Sequence, residues 1–426
     1  MDLVITQGTS IRSHLLSLDI HLTSPASQSQ SSASPFASYA TGEKIEGTVS
    51  ITSQRDLGFD HLHIAFVGEE STTIPSSTPD KAKHQFLELV QPIDDSTLPS
   101  PKVFRAGRQY EFTFSFGVPD YLPSSSCRHS ANPLVKAAHL HLPPSCGDAS
   151  IAGFGGKLRD DFAPAACKVV YSIYAKLERL NATFGALEII EEKRLKVRVK
   201  PAVGDVPLQD LLPMDGFSSE YSLYHEQAIH GGNSKSKSPA TGRLAITLEQ
   251  PECFYHPLRD PISLISKALR LFLVYSPSAS DSTISPPQLK SLRAHITATT
   301  IYTTNLGSTV HPIRRKRDFF NRPANFRDAE LPLSSIPSSP NLRWTMDQTG
   351  SYTGTLLVPV TLPKDKSFIP TFHSCLITRV YSLGFQLSVQ GASEPFRLKA
   401  PMQIAAERDP AVLPSYNASL GIVDLD

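Results

Sequence analysis

The chain has 426 residues, which is enough for two or three domains that each bury a core of their own. Lys and Arg together number 41 and Asp and Glu 40, a balance that argues against a nucleic-acid partner or a strongly acidic substrate. The 35 prolines outnumber the 23 glycines, and this composition favours turns and loops over long helices.

The cysteines and the first residues indicate a cytoplasmic protein. The opening MDLVITQGTSIRSH lacks the basic and apolar regions of a secretory signal. No apolar run approaches the ~20 residues of a membrane span. The cysteines are widely spaced, and their pattern fits neither a disulfide framework nor a zinc module: Cys127, Cys146, Cys167, Cys253 and Cys375. We therefore expect a reducing compartment, no cofactor and no metal ion.

Alternation of apolar and polar residues with a period of two recurs along the chain and predicts β-strands. In YEFTFSF, aromatic residues at every second position from Tyr110 to Phe116 alternate with Glu111, Thr113 and Ser115. The segments CKVVYSIYAKL and RLKVRVK alternate in the same way. Such strands place one face on a core and the other in water. Helical periodicity is scarce, and residues 264–271 fit a short helix or a buried strand equally well.

Many short strands separated by Pro- and Ser-rich turns predict an all-β fold of two tandem immunoglobulin-like β-sandwiches with a short linker. The polar stretch 201–242 shows little alternation and is the expected linker. The expected division is 1–200 and 243–405 for the sandwiches, 201–242 for the linker or insert, and 406–426 for a flexible tail. A weak internal echo supports duplication, because YSIYAKL at 171–177 resembles YSLGFQL at 381–387.

Several stretches of the first 200 residues carry recognisable motifs. In order they are YATGEKIEGTVSI with FDHLHIAFVGEE, then VFRAGRQYEFTFSFGVPDYLPSSSCRH, HLHLPPSCG and DDFAPAACKVVYSIYAKL. Together they resemble the N-terminal domain of fungal arrestin-like (alpha-arrestin) proteins. IPTFHSCLITRVYSLGFQLSV at 369–389 is similar to a late strand of the same family.

This resemblance implies two arrestin-type sandwiches and a role as a trafficking adaptor without enzymatic activity. Proteins of this family bind plasma-membrane transporters or receptors and recruit a HECT-type ubiquitin ligase, whose WW domains read short PY motifs, for ubiquitin-dependent endocytosis. The implied location is cytoplasmic, peripheral at the plasma membrane or endosomes. The alternative is an arrestin-fold coat or sorting subunit of the retromer type, which recruits no ligase.

Two short motifs near the end of the chain are candidate partner sites. The L-P-x-Y variant of the WW ligand is matched by Leu413, Pro414, Ser415 and Tyr416. Proline pre-sets the extended backbone that WW domains bind, and tyrosine adds contact area and a hydroxyl. The full P-P-x-Y form does not occur in the chain. A clathrin-box-like ending is formed by Ile422, Val423, Asp424, Leu425 and Asp426.

One dense basic run is a candidate contact for anionic lipids or a nuclear-import signal, against a solvated loop as the ordinary interpretation. It consists of Arg314, Arg315, Lys316 and Arg317. A loss of liposome binding when all four become alanine would favour the lipid contact.

Three further patterns carry weaker chemistry. The pairs His61/His63 and His139/His141 have the spacing of metal ligands on one strand face, but no carboxylate or cysteine spacing completes a known site, so polar strand faces or turns are the favoured interpretation. The loop 153–157 lacks the residues of a phosphate-binding loop. Asp160 and Asp161 have no evident acid–base partner, and we expect them to cap a turn or to join a polar cluster between domains.

Overall fold

The structure is a computed structural model of the whole chain. It describes residues 15–23, 38–75, 77–128, 133–148, 160–181, 185–202, 221–231, 239–256, 265–278, 285–306, 324–333 and 342–406. Within these ranges the protein is mainly β, with one short helix and several antiparallel sheets, as the alternation predicts.

The described residues of the first half of the chain form ten strands and the helix. The strands are β1 (Leu16–Leu22), β2 (Ser38–Ala40), β3 (Lys44–Ser53), β4 (Leu57–Gly58), β5 (His61–Ile74), β6 (Asp80–Val90), β7 (Val103–Phe104), β8 (Gln109–Gly117), β9 (Cys167–Leu180) and β10 (Leu187–Lys200). Helix α1 spans Pro133–His139, and 3-10 turns occupy Asp95–Thr97 and Ser124–Ser126.

In the second half, twelve strands lie within the described ranges. They are β11 (Tyr224–His230), β12 (Ala240–Leu248), β13 (Phe254–His256), β14 (Ser266–Pro277), β15 (Leu289–Thr303), β16 (Ala324–Pro332), β17 (Thr345–Met346), β18 (Tyr352–Thr361), β19 (Phe372–His373), β20 (Ile377–Val389), β21 (Phe396–Met402) and β22 (Ile404–Ala406).

Two sheets organise the first half. One has the order β1-β3-β8, and the other has the order β2-β10-β9-β5-β6, in which only β2 is parallel to its neighbour. The alternation predicted for β8 is confirmed, because Phe112, Phe114 and Phe116 are buried while the residues between them are exposed. In β10, Val197 and Val199 are likewise buried. The apolar face of each strand therefore decides which side of its sheet meets the core.

Two five-stranded sheets organise the second half. One has the order β11-β12-β14-β18-β17 and the other the order β16-β15-β20-β19, in which β21 pairs with residues 381–387 of β20. The segment that fitted a helix or a strand lies mostly in β14. Leu269, Leu271 and Leu273 are buried there, whereas Phe272 and Val274 are exposed, which is strand periodicity.

The stretch 201–242, predicted as a linker or insert, contains an ordered strand. Strand β11 pairs antiparallel with β12, and Ile229 is buried in the same hydrophobic cluster as the core of β12. A strand with one strongly buried side chain among polar neighbours gives little alternation, which is why the sequence pattern does not reveal it.

The buried apolar side chains form two clusters. The first cluster collects residues from β1 to β10 and also Ile369, Phe372, Leu376 and Ile377 from the second half. The second cluster collects residues from β11 to β22, with Phe162 of the first half packed against it. Each half of the chain thus contributes residues that pack against the hydrophobic cluster of the other half. The candidate site lies near these residues, Phe162 and the segment 369–377.

The internal echo occupies equivalent positions in the two halves. YSIYAKL lies in β9 and YSLGFQL in β20, and each strand is paired on both sides. Both tyrosines are buried, and each hydroxyl donates to a backbone carbonyl in an earlier segment: Tyr171 to Pro143 at 2.6 Å and Tyr381 to Ile369 at 2.9 Å. The resemblance between the two heptapeptides therefore extends to the role of the first residue.

Candidate functional site

Three of the candidate sites predicted from the sequence lie outside the described residues. These are the WW-ligand motif Leu413–Tyr416, the clathrin-box-like ending Ile422–Asp426 and the basic run Arg314–Arg317. The loop 153–157 also lies outside them. The acidic pair Asp160 and Asp161 is described, and it marks the candidate site.

Asp161 is a buried carboxylate held by backbone amides. Its Oδ2 accepts a hydrogen bond from Gly147 N at 2.8 Å and its Oδ1 accepts one from Ala163 N at 3.0 Å. Gly147 has φ 69°, and a Cβ there would meet the carbonyl oxygen of Cys167 at 1.9 Å, so only glycine brings its amide to this carboxylate. Asp161 therefore ties the segment after HLHLPPSC to the beginning of the β9 region.

Phe162, which directly follows the two carboxylates, has a positive φ of 60°. Its amide donates to Asp160 Oδ1 at 2.9 Å, and its ring lies 5.3 Å from the ring of Phe368. A non-glycine residue with positive φ is strained by of order 1 kcal/mol or more. The hydrogen bond and the aromatic contact help to hold this conformation.

Asp160 joins the two halves of the chain through an ion pair. Its Oδ2 lies 3.1 Å from Lys366 Nζ, and its backbone carbonyl accepts from Ser367 N at 2.8 Å. Ser367 Oγ in turn accepts from Arg198 Nη2 at 3.1 Å. Because Asp160 and Lys366 are partly exposed, the ion pair itself stabilises the fold by no more than about 1 kcal/mol.

Arg379 supplies the buried positive charge opposite Asp161. The side chain is 1 % exposed, its Nη1 donates to the carbonyl of Asp161 at 2.8 Å, and its Nε donates to Thr300 Oγ1 at 2.9 Å. Thr300 and Arg379 face each other in the β15–β20 ladder, so the sheet register places the acceptor. We call this set the buried junction, after its buried members Asp161, Thr300 and Arg379. Its other members are partly exposed: Asp160, Arg198, Lys366 and Ser367.

A second buried carboxylate, Glu70, binds the segment just before β20. Glu70 is fully buried, and its Oε1 lies 2.9 Å from Nδ1 of His84, its partner in the β5–β6 ladder. Its Oε2 accepts from Ser374 Oγ at 2.5 Å and from Leu376 N at 3.3 Å. Glu70 thus anchors the loop 374–376 of the second half to the sheet of the first half.

The two histidine pairs lie in different kinds of structure. His61 and His63 both lie in β5, as the strand-face interpretation requires; His61 is exposed, and His63 Nε2 lies 3.5 Å from Glu88 Oε1 on β6. The expectation that His139 and His141 share a strand face is wrong: His139 ends helix α1, and His141 lies in the following loop beside Tyr121. Instead, His139 Nδ1 is 3.5 Å from Cys127 Sγ, in the protein interior.

Thiols beside the junction are held in their neutral form. Burial raises the pKa of Cys167 from 9.0 to about 12, although the positive charge of Arg379 opposes the shift. Burial also raises the pKa of Cys146 well above its ordinary value, and the negative charge of Asp161 adds to that effect. Cys146 and Cys167 therefore act as small apolar side chains at neutral pH.

We expect the protein to lose stability in alkaline solution, between about pH 9 and pH 12. The folded state holds the Cys167 proton up to about pH 12 and the unfolded thiol releases it above 9.0, so the contribution is complete below pH 9 and disappears between these values. Each such thiol lowers the free energy of unfolding by up to ~1.4 kcal/mol per pH unit in this window. Urea unfolding across the window measures the slope. Cys167→Ala should make it shallower than Cys253→Ala does, and equal slopes would contradict the assignment.

Comparison with known proteins gives no match: no protein-family profile fits the chain, and no curated protein sequence is significantly similar to it. The one helix among the described residues is too short to cross a membrane. The function is therefore argued from the residues themselves.

Arg379 and Glu70 were not predicted as site residues, although the sequence carries a signal for both. Alternation places Arg379 on the same strand face as Tyr381 and Leu383, and Glu70 on the same face as Phe66. A charged residue on the apolar face of a strand must find a partner inside the protein. The partners Asp161 of Arg379 and Ser374 of Glu70 are more than 200 positions away in the sequence, so only the fold identifies them.

Proposed function

We propose that this protein is a non-enzymatic trafficking adaptor of the arrestin type, which binds membrane cargo and recruits a WW-domain HECT ubiquitin ligase. In this proposal two tandem β-sandwiches, within 1–200 and 243–405, form the cargo-binding scaffold. The motif Leu413–Tyr416 binds the ligase, and the cargo is then ubiquitinated and internalised.

The observation that carries the proposal is the arrangement of two hydrophobic clusters around one buried junction. Each cluster is drawn mainly from strands of one half of the chain, and this supports two tandem sandwiches as the proposed scaffold. The junction links segments of both halves through Asp161, Arg379 and the Asp160–Lys366 ion pair. Such a scaffold offers broad sheet faces and strand-connecting loops to partners.

In this proposal the buried carboxylates stabilise the fold and take part in no reaction. Both oxygens of Asp161 and both oxygens of Glu70 accept hydrogen bonds from groups of the fold, so these carboxylates already have a structural role.

The proposed mechanism is an increase in effective concentration. The last described strand ends at Ala406, and six residues separate it from Leu413 in the sequence. A weak WW contact suffices when cargo and ligase are held on one scaffold at a membrane. In the same proposal Arg314–Arg317 contacts anionic headgroups, which would keep the adaptor at the plasma membrane or endosomes. The clathrin-box-like residues Ile422–Asp426 are a further proposed contact of the same trafficking role.

The decisive experiment is a fluorescence titration of a peptide covering residues 408–426 against WW domains of HECT ligases of the host. We expect binding at tens of micromolar, roughly −6 to −7 kcal/mol, because a proline and a tyrosine supply most of the contact in such ligands. Tyr416→Ala should abolish binding. Ser415→Ala is the matched control and should retain it, since the third position of the motif is variable.

If neither the wild-type peptide nor the Tyr416→Ala peptide binds a WW domain, the ligase role is removed from the proposal. The retromer-type coat or sorting subunit would then be the better description, and it predicts a stable multi-subunit complex that tolerates Tyr416→Ala. The same titration with the full-length chain tests whether the motif is accessible in the folded protein.

A further inference from the structure

Three metal-binding side chains from distant parts of the chain meet inside the protein. Cys127 follows the 3-10 turn Ser124–Ser126, His139 is the last residue of α1, and Cys375 lies in the loop between β19 and β20. All three are buried, with exposures of 0 %, 2 % and 2 % in that order. The sequence spacing between them gives no hint of this meeting, because Cys375 lies far beyond the other two along the chain.

The ligand atoms are arranged closely enough to bind one metal ion. The Cys127 and Cys375 sulfurs and a His139 ring nitrogen all lie within 4.8 Å of one another, and Cys127 Sγ is 3.5 Å from His139 Nδ1. Tetrahedral zinc with two sulfur ligands and one nitrogen ligand separates these atoms by about 3.5–3.8 Å. The observed arrangement therefore needs only sub-ångström to ångström adjustment.

We propose that Cys127, His139 and Cys375 form a zinc site, which we call the Cys₂His site. Two thiolates and one imidazole are the ligand set that zinc favours over magnesium or calcium, whose preferred ligands are oxygens. The fourth tetrahedral position falls to a water molecule. Zinc binding releases the two thiol protons to solvent and changes no oxidation state.

Hydrogen bonds to the first-half sheet hold the chain next to Cys127 and next to Cys375, as a metal site requires. Ser126 Oγ donates to the carbonyl of Phe86 at 2.7 Å, which fixes the turn before Cys127 on β6. Glu70 accepts hydrogen bonds from Ser374 and Leu376, the two neighbours of Cys375. The chain on both sides of this cysteine is therefore anchored to the sheet of the first half.

Two further side chains, Glu70 and His84, lie close to the sulfur of Cys375. Oxygen and nitrogen atoms of Glu70 and His84 lie within 4.8 Å of Cys375 Sγ and of each other. This pair supplies a negative charge and a hydrogen-bonding imidazole beside the proposed ion, an arrangement that orients ligands and tunes metal affinity in zinc proteins. Cys375 is thus the ligand that both groups share.

A zinc ion here would connect the two halves of the chain. Two ligands belong to the first half, and Cys375 precedes β20, the strand that carries Arg379. The metal would therefore stabilise the same crossing of segments that Glu70 and the buried junction stabilise. This inference goes beyond the adaptor proposal and does not depend on ligase or cargo binding.

The test is the metal content of the full-length protein, purified without chelators under reducing conditions and measured by elemental analysis. We expect one zinc ion per chain. Cys127→Ser, Cys375→Ser and His139→Asn should each lose it. Cys253→Ser and His141→Asn are the matched controls, because they remove a cysteine and a histidine outside the site, and they should retain zinc.

Cobalt substitution of the wild-type protein tests the ligands without any variant that might unfold. Two thiolates bound to Co²⁺ in a tetrahedral site give strong visible bands and a sulfur-to-cobalt charge-transfer band in the near ultraviolet, and added zinc should abolish both. A wild-type protein that binds neither zinc nor cobalt, or one in which Cys127 and Cys375 are joined by a disulfide under reducing conditions, would overturn the proposal. Retention of zinc by Cys375→Ser would overturn it as well.

Discussion

Arg379→Met is expected to lower the free energy of unfolding by about 3–5 kcal/mol, as the removal of one partner from a buried ionic network does. Methionine fills a similar volume but donates no hydrogen bond. The carbonyl of Asp161 and the hydroxyl of Thr300 would lose their donors, and the buried Asp161 carboxylate would lose its nearest buried cation among the junction residues. Chemical denaturation followed by tryptophan fluorescence and circular dichroism measures the change.

Arg397→Met is the matched control for this substitution. Arg397 lies in β21 with its side chain exposed, whereas Arg379 lies in the neighbouring strand β20 and is buried. An exposed arginine away from such networks changes stability by no more than about 0.5 kcal/mol when replaced. Equal effects of the two substitutions would mean that the buried junction contributes nothing beyond ordinary surface contacts.

Asp161→Asn should destabilise the protein by about 2–4 kcal/mol, although it changes neither size nor shape. Both carboxylate oxygens accept from backbone N–H groups, of Gly147 and Ala163. An asparagine has one acceptor oxygen, so its NH₂ group would face one of these donors. The substitution also removes the negative charge near Arg379. Thermal and urea unfolding of the two proteins side by side measure the loss.

Asp160→Asn provides the control one residue away in the sequence. Asp160 is 36 % exposed at its side chain and pairs with Lys366 in partial contact with solvent, so we expect a loss of about 1 kcal/mol or less. If Asp160→Asn proved as damaging as Asp161→Asn, burial would not be the cause of the effect.

The double variant Arg379→Met/Asp161→Asn tests whether the two groups act as a unit. Once the cation is gone, neutralising the nearby anion relieves part of the damage, so the two losses should add to more than the double variant shows. Simple additivity would indicate that the two side chains stabilise the fold independently.

The strands were predictable because each satisfies a local rule. In β8 the alternation of aromatic and polar residues requires only that one face meet a core, and the burial of Phe112, Phe114 and Phe116 follows. Strand β9 was predictable in the same way. Where the local rule is weak the prediction fails, as at β11, whose polar residues mask a single deeply buried isoleucine.

Helix α1 shows the opposite failure. The sequence HLH alternates like a strand, yet His139 ends a seven-residue helix that begins at Pro133. Proline at the first helical position favours the helix start, and this local signal competes with an alternation only three residues long. The structure turns His139 inward, toward Cys127, and leaves His141 in a loop.

The amino-acid sequence by itself determined that this protein is mainly β and which face of most strands is buried, because those properties depend on neighbouring residues. It also supplied the L-P-x-Y motif at 413–416, because such a match depends on four consecutive residues alone. Only the tertiary structure decided that Asp161 meets Arg379, that Glu70 meets Ser374, and that Cys127 and His139 meet Cys375. Each of these contacts joins residues more than 200 positions apart, and buried polar groups find such partners through sheet register and packing rather than through sequence spacing.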